Sequence, residues 1–226
     1  MPQQLSFDLP AKSALGRDDF FVSPANALAV AMIDATISWS NRKLALSGPA
    51  GSGKTHLAHV WAAQTGAVIV AARDLGDDDV PRLASGPVVI EDVPQIARDT
   101  AAQNALFHLH NLVLAEGHAL LLTGQGAPNL WGLSLPDLQS RVEAANHVAL
   151  PAPDDALLAA VLAKLFDDRQ ITPKPNVIPY LVDHMDRSFE AAAAIVDRLD
   201  RMSLSESRTM SRPLAVRLIA ELAASR

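Results

Sequence analysis

Residues Gly48, Pro49, Ala50, Gly51, Ser52, Gly53, Lys54 and Thr55 fit the spacing G-x-x-x-x-G-K-[ST], the P-loop pattern. Glycines at these positions let successive backbone N–H groups converge on phosphate oxygens, and a helix opening at Lys54 adds the positive end of its dipole. The Lys54 ammonium would reach the outer phosphates, and the Thr55 hydroxyl would ligate magnesium. His56 follows on the same turn. A metal held this way needs an acidic partner. "VVIEDV", residues 88 to 93, places Glu91 and Asp92 directly after an apolar run. Either acid can contact Mg2+, and the other, with Asp92 the candidate, can polarise a water. The implied ligand is ADP or ATP with Mg2+.

These groups work only if several elements bring them to one edge. "LAL" before the loop and "LAHVWA" after it read as strand, turn, helix. Further apolar runs lie at 67–72, 88–90, 118–124 and 146–150. Between two of them, Ala102, Ala105, Leu106, Leu109, Leu112 and Val113 recur at helical spacing. Asp99 or Thr100 can cap that helix, and Gly117 can end it. Strands alternating with helices predict an α/β parallel sheet flanked by helices, with ligands beyond the carboxyl ends of the strands. Thr123 to Gln125 then face the same edge as the P-loop. After "PAPDD", residues 151 to 155, only helical patterns remain: about 156–168, 175–185, 188–202 and 212–224. The expected division is a tail at 1–17, an α/β nucleotide-binding domain at 18–150 and a small all-helical lid domain at 151–226.

Composition narrows the function classes. Of 226 residues, 49% are hydrophobic and 19% charged, so the chain has a globular composition with material for a large core. A net charge of −6 argues against a surface built to neutralise a duplex, so direct DNA binding is expected to be weak or absent. Residues 187–226 hold seven arginines against five acids, several spaced for pairing three apart along one helix. There is no cysteine, which removes disulfides and thiolate metal sites. No apolar run reaches the roughly 18 residues of a membrane span, and no basic leader opens the sequence. A cytoplasmic protein without membrane contact is expected. With no carboxylate or cysteine set to complete a metal site, His56, His59, His108 and His110 read as core or surface histidines, and Asp77 to Asp79 as a solvated loop.

The succession of P-loop, "VVIEDV", "LLTGQGAP", "LPDLQSRV" and "DRSFEAAAAIVDRLD" resembles the DnaA-related AAA+ ATPase family over roughly residues 18–224. DnaA continues into a helix-turn-helix domain, whereas here the sequence ends at Arg226, as in Hda-type regulatory inactivators of DnaA. The resemblance implies that Arg141 is an arginine finger acting in trans on a neighbour's nucleotide. It also implies that Arg187 is a lid arginine reading phosphate, and that "FFVSPANALAVAMI", residues 20–33, leads into the adenine pocket. In such regulators a glutamine-containing tail motif binds the DNA polymerase III sliding clamp (its beta subunit). In "QLSFDL", Gln4 would fill a polar subsite, with Leu5, Phe7 and Leu9 as apolar anchors. The implied partners are DnaA, the clamp and, in a homodimer or larger homo-oligomer, a second copy. The implied function is negative regulation of replication initiation by promoting hydrolysis of DnaA-bound ATP. Glu91 and Gln125 stand where aspartates are usual, which points to nucleotide binding with weak or no turnover of its own. The alternative is an ATP-dependent DnaC/IstB-like helper that loads a helicase or transposase onto DNA.

Overall fold

The structure, a computed structural model, describes residues 20–206 and 209–224. The tail with Gln4, Leu5, Phe7 and Leu9 lies outside the described residues. Five parallel strands, β1 (Lys43–Ser47), β2 (Val68–Ala71), β3 (Val88–Glu91), β4 (Leu120–Gly124) and β5 (Asn146–Ala149), form one sheet in the order β2-β3-β4-β1-β5. The apolar runs explain the two central strands. Every residue of β1 and β4 is buried, as helices on both faces of a parallel sheet require. Register pairs Ser47 with Gly124 and Ala71 with Glu91, which brings the carboxyl ends of the strands to one edge.

Helices α1 (Ala27–Asp34) and α2 (Lys54–Thr65) pack on one face, where Trp39 and Trp61 stack with ring centroids 5.2 Å apart. The other face carries α3 (Val80–Leu83), α4 (Thr100–Ala115) and α5 (Pro136–Glu143). The expected cap of α4 is Asp99, whose carboxylate accepts the Ala102 N–H at 3.0 Å. Its end closes with two bonds, His118 N–H to Val113 O at 2.9 Å and Gly117 N–H to Leu114 O at 3.1 Å. The acidic run Asp77–Asp79 winds into a 3-10 turn ahead of α3 and is otherwise solvent-facing, with Asp79 paired to Arg82. Local spacing gave no hint of α3, because four residues are too few for a helical period.

The four later helices are α6 (Asp155–Asp167), α7 (Val177–His184), α8 (Phe189–Glu206) and α9 (Arg212–Ala224). They close on a core of their own, centred on Leu158, Leu162, Phe166, Leu181, Val196, Leu199 and Leu218. Asp154 caps α6 by accepting the Leu157 N–H at 2.8 Å. The arginine-rich face differs from the spacing read in the sequence. Arg201 pairs with Asp197 four residues away at 3.0 Å, and Arg198 reaches across to Glu221 of α9 at 3.6 Å. Among the described residues, no helix is long and apolar enough to cross a membrane.

Candidate nucleotide site

The buried strand β1 ends at Ser47, and the chain turns through residues 48–53 into α2. Backbone bonds fasten the turn to its neighbours: Gly48 N–H donates to Gly124 O at 3.2 Å, and Leu150 N–H donates to Ser47 O at 2.7 Å. Gly51 (φ +67°) and Gly53 (φ +97°) adopt the left-handed region. At Gly51 the need is also steric, because a Cβ there would lie 2.4 Å from the Ser188 Cβ. The helical half therefore sits directly on the loop, and Phe189 N–H donates to Gly51 O at 2.9 Å.

A cavity of about 570 Å³ opens between the loop and the helical half, within the usual range for a small-ligand pocket. From the loop it is lined by Ala50, Gly51, Gly53, Lys54, Thr55 and His56, and from the carboxyl ends of β3 and β4 by Asp92 and Gln125. Phe20 and Phe21 close one side, and the Phe20 ring meets the His56 ring edge-on at 5.0 Å. The opposite wall comes from α6 and α8 through Val161, Lys164, Leu165, Asp168, Phe189 and Glu190. Sequence patterns missed this wall. Helical spacing marks Val161 and Leu165 only as apolar, and only the docking of the helices turns them toward the cavity.

Lys54 is buried, and its ammonium donates to Gly48 O at 2.9 Å and Pro49 O at 2.7 Å. Burial lowers its pKa from the ordinary lysine value, while the charges of Asp92 and then Glu91 oppose that shift. Two carboxylates and a cation thus share one edge. Asp92 has left-handed backbone (φ +55°), and its N–H donates to Thr123 Oγ1 at 3.1 Å, which ties the acidic turn to β4. Its carboxylate accepts from Gln95 Nε2 at 3.3 Å. Glu91 Oε1 is buried without a hydrogen-bond partner. A buried carboxylate oxygen left bare beside an oxygen-rich turn fits a hard cation. Of the residues expected to hold magnesium, Thr55 and Asp92 line the cavity and Glu91 is not among its lining residues.

The structure places the two arginines differently. Arg187 is not among the residues lining the cavity; its guanidinium pairs with Asp155 and donates to Pro153 O at 3.4 Å. The physical reason is proximity: Asp155 opens α6 with a carboxylate beside the turn that carries Arg187. Arg141, near the end of α5, also lies outside the cavity, on the flank formed with α4. Its Nε donates to Asn111 Oδ1 at 3.1 Å, its Nη1 to Asp137 O at 3.1 Å, and its guanidinium lies 4.6 Å from the Phe107 ring centroid.

Residues 155–219 match the family model described as "Hda, lid domain". Domain III of the replication initiation protein DnaA from Thermotoga maritima superposes with a TM-score of 0.80 at 17% identity, covering 94% of this chain and 98% of that one. Residues 155–219 are thus similar to the lid domain of Hda, and the chain has the fold of DnaA domain III. AMPPCP-bound DnaA from Aquifex aeolicus shares the fold of this chain at TM-score 0.67 and 18% identity, over 81% of this chain and 64% of that one. A Thermotoga maritima RuvB mutant does so at TM-score 0.67 and 14% identity, over 88% and 68% respectively. The parallel sheet with its separate helical unit is therefore a fold that this chain shares with DnaA and RuvB.

Proposed function

We propose that the protein is a negative regulator of replication initiation: it binds ADP or ATP, docks on the DNA polymerase sliding clamp and promotes hydrolysis of ATP held by DnaA. The observation that carries this reading is the position of Arg141. It is a half-buried arginine on the α4–α5 flank, outside the cavity of its own chain. A guanidinium so placed is available to a neighbouring subunit's nucleotide, and the Hda-type lid supports DnaA as that neighbour.

Within its own site, the loop N–H groups and Lys54 bind phosphate, Phe20, Phe21 and His56 hold the base side, and Val161 and Leu165 exclude water from above. Thr55, Glu91 and Asp92 would hold magnesium, which draws charge from phosphate oxygens when bound. In trans, Arg141 faces the γ phosphate of DnaA-bound ATP. Water oxygen bonds to the γ phosphorus, the bridging P–O bond breaks with its electron pair remaining on ADP, and the water proton passes to the phosphate product or solvent. The guanidinium stabilises charge that grows along this path, an effect worth about 10³ to 10⁵ in rate for arginine fingers. Gln4, Leu5, Phe7 and Leu9 anchor the protein to the clamp, so that this encounter occurs at loaded DNA.

The test is hydrolysis of labelled ATP on DnaA with clamp and DNA present. Arg141→Ala should bind nucleotide and clamp normally yet lose most of the stimulation. Full stimulation by the variant would end the trans mechanism and leave the helper reading, in which the protein's own ATP turnover does the work. A clamp pull-down with Gln4→Ala checks the tail, where undiminished capture would remove it as the docking element.

A further inference from the structure

Beyond the cavity, the molecule buries a second lysine. Lys43 opens β1 at the amino end of the sheet, far from the P-loop, and is only 4% exposed. Buried lysines are rare and usually face a carboxylate. The hydrogen bonds of Lys43 instead go to neutral groups: its ammonium donates to Arg141 O at 2.7 Å and lies 3.3 Å from His110 Nε2. Since an ammonium only donates, Nε2 must be the accepting nitrogen and Nδ1 must carry the proton. Nδ1 lies 3.3 Å from Asn111 Oδ1, the same oxygen that accepts from Arg141 Nε at 3.1 Å.

These bonds close a ring: Lys43 to His110, His110 to Asn111, Asn111 to the Arg141 side chain, and the Arg141 carbonyl back to Lys43. Each bond of the ring runs from a donor to an acceptor, and one histidine tautomer satisfies them all. The ring grips Arg141 at two points, its backbone and its Nε. The Nη groups keep one bond to Asp137 O, and the Phe107 ring lies under the guanidinium plane.

We propose that Lys43 and His110 are positioning residues for Arg141, fixing through this ring the direction in which its guanidinium leaves the α4–α5 flank. This inference rests on the reading of Arg141 as the group offered in trans. Arginine has four side-chain torsions, and its effect on a neighbouring phosphate requires one geometry. A displacement of about 1 Å can cost on the order of a hundredfold in rate. Lys43 cannot touch a neighbour's nucleotide itself, because it is sealed beneath α4 and α5.

The test uses the full chain with Lys43→Met, His110→Leu, His110→Gln and Arg141→Ala. Stimulated hydrolysis by DnaA is measured as maximal rate and half-saturating concentration, beside melting temperature and the ¹⁵N resonance of Arg141 Nε. Lys43→Met and His110→Leu should lower the maximal rate about tenfold with little change in half-saturation, since misdirection spares docking. His110→Gln should restore most of the rate, because its amide can accept from Lys43 and donate to Asn111. The Arg141 Nε–H signal should exchange faster in the two ring-breaking variants only. Full rate and an unchanged signal in both variants, with Arg141→Ala inactive, would overturn the positioning role. A parallel loss of melting temperature and rate in all ring variants, His110→Gln included, would overturn it in favour of plain packing. Full activity of Arg141→Ala would instead overturn the trans reading, and with it the catalytic meaning of the ring.

Discussion

Two buried lysines stand at opposite ends of the same strand and have opposite surroundings. Lys54, beyond the carboxyl end of β1, borders an open cavity, donates to two carbonyls of its own loop and has two carboxylates acting on its charge. Lys43, at the amino end, is enclosed by α4 and α5 and donates to neutral acceptors. Burial lowers the pKa of both, but at Lys43 the next contribution is the like charge of Arg141, where at Lys54 it is the opposite charge of Asp92. A cation facing a cavity can exchange its carbonyl partners for phosphate oxygens when a ligand arrives. A cation closed within a ring has nothing to exchange and serves to hold other groups.

Replacing Lys54 should have the largest effect. Lys54→Ala should lower affinity for ADP and ATP by about a hundredfold or more, as charged hydrogen bonds worth roughly 1.5–3 kcal/mol each are lost. The fold should persist, because the lysine packs on its own loop. Titration calorimetry checks the affinity, and unchanged binding would erase the contrast between the two lysines.

The next effect concerns the cover over the open site. Gly51→Ala puts a Cβ into Ser188 in a backbone region that side chains avoid, and should weaken lid docking by about 1–3 kcal/mol. Calorimetric melting should fall by several degrees, and nucleotide affinity should fall with it. Gly66→Ala is the control, since it shares a positive φ (+74°) yet a Cβ there meets nothing within 4 Å. Equal losses in the two variants would show that the lid contact contributes little.

The most gradual effect, spread over a range of pH, sharpens the closed end. Burial, the Lys43 charge and the Arg141 charge lower the pKa of His110 to about 4, against the Asn111 hydrogen bond, which raises it. A histidine kept neutral in the fold accepts its proton first in the unfolded chain. Its contribution is whole above pH 6.5, declines as pH falls toward 4 and is gone below that. Within that window stability should fall by up to about 1.4 kcal/mol per pH unit from this group. Urea unfolding of wild type and His110→Leu between pH 4 and 7 checks it. Equal slopes would mean that His110 is not held neutral.

Much of the open site was legible because its chemistry is local. The spacing of Gly48 to Thr55 requires a turn whose N–H groups converge, and the apolar run before Glu91 and Asp92 requires a buried strand that ends at them. The lid helices were legible from helical periodicity and the Asp154 cap. The wall of the cavity was not. Val161, Lys164 and Leu165 carry no pattern that distinguishes a cavity lining from an ordinary helix face.

By itself, then, the sequence determined the strand and helix succession, the glycine-rich turn into α2, the acidic turn after β3 and a separate helical unit, since each follows from residues adjacent in the chain. Tertiary structure alone decided which helix faces close the cavity, and that Arg187 is taken by Asp155 and stays out of the cavity. It also decided that Lys43 meets His110 and Arg141, which lie 67 and 98 residues further along the chain. The reason is that hydrogen bonds and charges act over a few ångströms of space, and for residues so far apart only the packing of β1 against α4 and α5 makes that distance short.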